Sequence, residues 1–118
     1  MALDLSFSIL PGNCLLCRKP SRRRLDLCAP CERDLPELKR ACRTCAIPLP
    51  ADDNTCGECL KHPPPQNAAR AAFVYGFPVD RLIQRFKFNN AQAVGRVLQE
   101  VFAARLPAMP ASFDVLPV

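Results

Sequence analysis

Hydrophobic positions recur with a clear period only in the last third of the chain. Val79, Leu82, Ile83 and Phe86 fall at helical spacing and predict a short amphipathic helix over about 79–87. Val94, Val97, Leu98, Val101 and Phe102 repeat that spacing and predict a longer helix, roughly 90–105, ended by Pro107 and Pro110. Just upstream, residues 71–77 are rich in aromatic and β-branched side chains and predict a strand; 112–118 read as the start of another. Between 61 and 66, three consecutive prolines bar both a helix and a central strand, which makes 63–70 a linker. One strand, two helices and an incipient strand cannot close a two-layer domain. Residues 71–118 therefore read as the opening of an α/β unit. Its apolar helix faces are expected to be exposed, to meet a missing domain or a second copy.

The first sixty residues hold no such period, but they hold all eight cysteines. These sit at 14, 17, 28, 31, 42, 45, 56 and 59, as four Cys-x2-Cys pairs that begin every fourteen residues. A shift of 28 maps Cys14, Cys17, Cys28 and Cys31 onto Cys42, Cys45, Cys56 and Cys59. Such a repeat points to a duplicated unit. Two Cys-x2-Cys turns joined by a ten-residue hairpin can aim four thiolates at one tetrahedral Zn²⁺, so the pattern predicts two zinc ions, four cysteines to each. Four thiolates close the coordination shell, which makes both ions structural. Disulfides, iron in place of zinc and a redox Cys-x2-Cys pair are the rival readings. Sequential pairing is preferred over a cross-brace that would join Cys14 and Cys17 to Cys42 and Cys45. His62, the sole histidine, is surplus to two filled sites. Gly57 is expected to free the backbone of the last knuckle, and 31–36 to leave the first site as a short helical turn.

Composition changes this picture only a little. Sixteen basic against eleven acidic residues leave +5. Eight thiolates on two Zn²⁺ would lower that by four, to +1, so overall charge argues little for nucleic acid. Local charge argues more. Arg18, Lys19, Arg22, Arg23 and Arg24 crowd the loop of the first site and form a candidate phosphate-contacting surface. No aromatic interleaves them, so they offer no stacking platform. Arg81, Arg85 and Lys87 read as solubilising charges on the first helix. Residues 1–10 lack a basic leader and are interrupted by Asp4, so no secretory signal is expected. No run approaches the roughly 20 apolar residues of a membrane helix, and a cytoplasmic location without membrane insertion is the default.

The order of parts is similar to the N-terminal half of the ComF family of bacterial competence and DNA-utilisation proteins. The resemblance rests on the four knuckles, the proline-rich linker, the Phe73–Phe77 segment, the Leu82-Ile-x2-Phe86-Lys-Phe88 run and the Asp114-Val-Leu-Pro-Val118 ending. It implies an α+β chain. A double zinc ribbon of short β-hairpins would occupy 1–62, with sites at 14–31 and 42–59. After the linker, 71–118 would be the truncated opening of a type I phosphoribosyltransferase-like domain. It also implies a role in natural competence, in the uptake or use of external DNA, with single-stranded DNA or a competence helicase-type protein as partner. A second implied reading makes the ribbons a docking or oligomerisation domain of an active phosphoribosyltransferase. A free-standing ribbon adaptor is a third reading. The family's acidic pair and Thr/Gly-rich phosphate loop have no match, because Asp52-Asp53 runs into Asn54, Thr55 and Cys56. This chain is therefore not expected to catalyse phosphoribosyl transfer.

Overall fold

The computed structural model describes residues 12–51, 54–108 and 110–117. The expectations placed on 1–10, on Asp52-Asp53 and on Val118 lie outside those residues. Among the described residues four helices follow one another: α1 (Ala29–Arg33), α2 (Gly57–Lys61), α3 (Val79–Phe88) and α4 (Gln92–Ala103). The last two match the helices that periodicity predicts to within a few residues. Their buried positions are Val79 and Leu82 on α3 and Val94, Val97, Leu98 and Val101 on α4. Gly95 lets the two helices close up, since a Cβ there would stand 2.6 Å from the Phe86 ring.

The expectation of exposed helix stripes is met only at Phe86; the other stripe positions are covered. Val79, Val97 and Val101 share one core with Cys14, Leu27 and Leu35, and Leu15, Leu16 and Leu25 pack around it. The apolar faces of α3 and α4 are thus covered by the first cysteine unit. The sequence explains why that unit, and not its duplicate, is the one that docks. Where the first copy has Leu15, Leu16, Leu25, Leu27 and Leu35, a shift of 28 puts Arg43, Thr44, Asp53, Thr55 and Pro63 in the second. The second unit buries little besides Cys42 and Cys59, while Ile47 and Leu60 stay exposed. The apolar side chains left open near α3 are Tyr75, Phe77 and Phe88, none of them in the stripe, together with Phe86, the one stripe residue that stays exposed.

The expected β-hairpins reduce to single bridges, Asn13 with Pro20 and Ala41 with Pro48. The backbone bonds of each bridge come from the prolines' neighbours, Cys14 N–H to Lys19 (2.8 Å) and Ser21 N–H to Gly12 (2.8 Å), then Cys42 N–H to Ile47 (2.9 Å) and Leu49 N–H to Arg40 (3.0 Å), so the edge at Pro20 and Pro48 that faces away from the bridge carries no N–H donor. The strand expected at 71–77 contributes only a Glu37–Phe73 bridge. It does so within a longer antiparallel path, in which Leu38 N–H donates to Ala72 (3.0 Å), Val74 N–H to Pro36 (2.8 Å) and Ala69 N–H to Arg43 (2.9 Å). The proline-rich segment is thus followed by chain that runs back along the stretch between the two cysteine units. Residues 113–117 form no strand, having no neighbouring strand to pair with among the described residues. The described residues contain helices and isolated bridges but no sheet.

Arg105, just past α4, ties the helical part to the first unit. Its guanidinium lies 3.4 Å from Glu32 and 3.6 Å from Glu37, and 5.0 Å above the Phe73 ring. Phe73 in turn packs on Phe102 at 5.3 Å. Glu32 also takes Arg23 at 2.6 Å. Burial pushes the Glu32 carboxyl up, but hydrogen bonds and charge from Arg23, then Arg105, hold it below its usual value. Arg85 adds a second tie, donating to the Leu15 carbonyl at 2.9 Å.

Two outcomes follow from this shared core. Leu27, fully buried in the cysteine unit, is expected on change to alanine to cost about 2–5 kcal/mol. Denaturant unfolding followed by helix circular dichroism should show that loss, although Leu27 lies in no helix. Arg105→Ala should cost about 1–2 kcal/mol, chiefly through the lost contacts with Glu32 and the Phe73 ring, since Glu32 keeps Arg23 and Glu37 is solvated. Arg105→Lys should recover only part of it, because lysine cannot reproduce the forked, ring-stacked geometry.

Candidate metal centres

Each cysteine unit begins with a knuckle whose backbone is set by the same hydrogen bonds. Cys14 N–H donates to Lys19 (2.8 Å) and Arg18 N–H to Cys14 (2.9 Å), while Leu15 N–H reaches across to Asp26 (2.8 Å). Twenty-eight residues later, Cys42 N–H donates to Ile47 (2.9 Å), Ala46 N–H to Cys42 (2.9 Å) and Arg43 N–H to Asn54 (2.8 Å). The duplication read from cysteine spacing alone therefore extends through the backbone.

The knuckle turns on the residue after its second cysteine. Arg18 and Ala46 both sit at φ 63°, the left-handed region. The role expected of Gly57 is not seen. Gly57 opens α2 without a positive φ, and no described glycine has one. The second pair of each unit is helical instead: Cys28 and Cys56 are the N-caps of α1 and α2, with Cys31 and Cys59 one turn in. Pro30 near the start of α1 suits a position whose N–H has no helical partner. The turn expected at 31–36 is thus a helix that begins slightly earlier, at Ala29.

These elements gather the sulfurs into two sets, Cys14, Cys17, Cys28 and Cys31, and Cys42, Cys45, Cys56 and Cys59, each with all four Sγ atoms within 4.8 Å of one another. Sequential pairing is what the structure shows; the cross-brace is not. The Cys17–Cys28 and Cys45–Cys56 sulfurs are both 3.7 Å apart. A tetrahedron with Zn–S bonds of about 2.3 Å has sulfurs roughly 3.8 Å apart, so the donor set fits zinc. A disulfide would need about 2.05 Å.

Backbone donors support the negative charge that zinc binding requires. Cys56 N–H points at Cys42 Sγ (3.3 Å) and Cys59 N–H at Cys56 Sγ (3.4 Å). Burial raises the Cys14 thiol, but N–H donation from Cys17, Cys28 and Leu16 outweighs it and brings it down to about 6. At Cys42, donation from Cys56 leads and the thiol again falls to about 6. Burial and the crowding of neighbouring sulfurs push Cys31 and Cys59 up instead. Four thiols at one point ionise together only around a cation.

The basic loop divides in two. Arg18, Lys19, Arg22 and Arg24 are exposed. Arg23 turns inward, its Nε donating to the Leu27 carbonyl at 2.6 Å and its Nη2 to Glu32 at 2.6 Å. Nothing in the run of arginines marks the middle one as structural; the signal is Glu32, nine residues on.

Zinc counting checks the centres. Native mass spectrometry is expected to find two zinc ions per chain. Cys42→Ser should leave one zinc and near-native helix content. Cys14→Ser, in the shared core, should lose a zinc and helix together.

Comparison with known proteins agrees with this geometry. Residues 5–60 match the double zinc ribbon domain family. The DNA utilization protein YhgH of Salmonella typhimurium is 33% identical over 102 residues, covering 81% of this chain and 45% of that protein. YhgH of Escherichia coli strain K12 is 34% identical over the same length and coverage. The chain thus spans about 45% of the length of the curated relatives it matches. No solved structure matches it. No helix among the described residues is long and apolar enough to cross a membrane. The chain thus carries a double zinc ribbon over residues 5–60 and is similar over 102 residues to the DNA utilization protein YhgH, in keeping with its resemblance to the ComF family.

Proposed function

We propose that the chain is the structural zinc-binding interaction module of a cytoplasmic protein that handles external DNA, and that its first ribbon contacts single-stranded DNA. The eight cysteines are the zinc ligands, and with four per ion no position is open for water, so the metal holds shape and does no chemistry. Residues 1–62 are the recognition unit, and 71–118 support it and lead into whatever activity the whole protein has. The observation that carries the reading is the exposure of Arg18, Lys19, Arg22 and Arg24 on a loop pinned at both ends by the first cysteine set. Phosphates meet cations whose backbone is already ordered, so little entropy is lost on binding. The DNA utilization of the relatives' names points to the same ligand.

Titration of a labelled oligo-dT across a salt series tests it. Arg22→Ala with Arg24→Ala should weaken binding and flatten the salt dependence by about 0.7 for each phosphate no longer neutralised. Arg23→Ala should instead lower stability. Affinity and salt slope unchanged in the double variant would remove the loop from the interface.

A further inference from the structure

A second basic surface lies away from the ribbon loop, on the outer side of α3. A groove of about 650 Å³ is lined by Phe77, Arg81, Gln84, Arg85, Phe88 and Asn89. Its two rings stand out in solvent, Phe77 at 77% and Phe88 at 80% exposure. They bracket a helix of ten residues, about 15 Å long. At roughly 3.4 Å per nucleotide, that length matches four or five stacked bases. Between the rings stand two guanidinium groups and two carboxamides, and the lining holds no carboxylate. Arg81 has no ion-pair partner among the described residues, while Arg85 spends one nitrogen on the Leu15 carbonyl.

We propose that this groove is a stacking site for single-stranded DNA, with Phe77 and Phe88 each stacking a base and Arg81 and Arg85 meeting the phosphates between them. This rests on the single-stranded DNA reading above and assigns it a second site. Exposed aromatics beside cations are what a sequence-tolerant single-strand platform requires. The ribbon loop has the cations but lacks the rings. A protein surface is the less suitable occupant, because burying Arg81 and Arg85 under apolar cover would strand two charges with no carboxylate in the groove. Gln84 and Asn89 can donate to and accept from base edges without demanding one sequence. The Arg85–Leu15 bond also joins the groove to the first knuckle. Arg18 and Lys19 follow in the sequence of that same knuckle.

The test compares an oligo-dT with an abasic strand of equal length and charge, by fluorescence anisotropy over a salt series. Zinc content and helix signal serve as folding controls, and both rings are exposed enough to be removed without touching the core. Phe77→Ala and Phe88→Ala are each expected to weaken oligo-dT binding at least about fivefold. Their salt slope should not change, and they should bind the abasic strand as the unaltered protein does. Arg81→Ala should weaken both strands and flatten the salt slope by about 0.7. If the unaltered protein binds neither strand, the single-stranded DNA reading falls and the groove with it. If it binds and the loop variants weaken it, but both Phe variants match the unaltered protein on oligo-dT, the groove alone is overturned. A change of oligomeric state in the Phe variants, by light scattering and without change in DNA affinity, would also overturn it and assign the rings to a second copy.

Discussion

Four sulfurs held near one point are the constraint on which the rest of this structure hangs. Thiolates repel one another, and only a cation of the right size makes their convergence favourable. Structural zinc returns on the order of 10 kcal/mol or more when it binds. That is comparable to all that the five leucines of the first unit could supply, at about 1.5–3 kcal/mol each. The metal therefore fixes a backbone that has almost no ladder of its own, three left-handed residues, Arg18, Arg22 and Ala46, and two helices of five residues each. None of these elements is stable in isolation.

The same constraint appears twice with different consequences. In the first copy, leucines turn the metal-fixed frame into half of a hydrophobic core, and α3 and α4 supply the other half. Arg105 and Arg85 then lock the halves across charged and backbone contacts. In the second copy, polar residues at the equivalent positions leave a unit held by its metal and by the antiparallel stretch beside it. Duplication supplied one frame for packing and a second with an open surface. The positive charge follows the packed copy, whose loop is the better anchored of the two.

Much of this could be read beforehand, for physical reasons that can be named. Ligand spacing is a local property, so the pairing of Cys14, Cys17, Cys28 and Cys31 followed from sequence. Helical periodicity is local too, and α3 and α4 fell near where Val79 and Val94 begin their stripes. What could not be read was long-range. Nothing in the stripe of α4 says that its cover is Leu27 and not a missing domain. Comparing the two copies position by position, Leu27 against Thr55, would have raised the question. The strand at 71–77 failed because sheet structure needs a partner with free N–H groups, and Pro36 stands opposite. Arg23 and Arg22 look alike in sequence; only the position of Glu32 in space separates a clamp from an exposed cation.

The prolines at the two bridges have an effect on the outer edge of each ribbon. A ribbon with an intact hairpin would present an open row of N–H and C=O groups, ready to pair with any other extended chain. The second unit, with Ile47 and Leu60 in solvent, would be especially exposed to such recruitment. Pro48, bridged to Ala41, offers no donor at that position, and Pro20 does the same in the first copy. The metal frees these units from needing a ladder for stability. Proline can then be placed where it blocks edge-to-edge aggregation, at no cost to the fold that holds the sulfurs together.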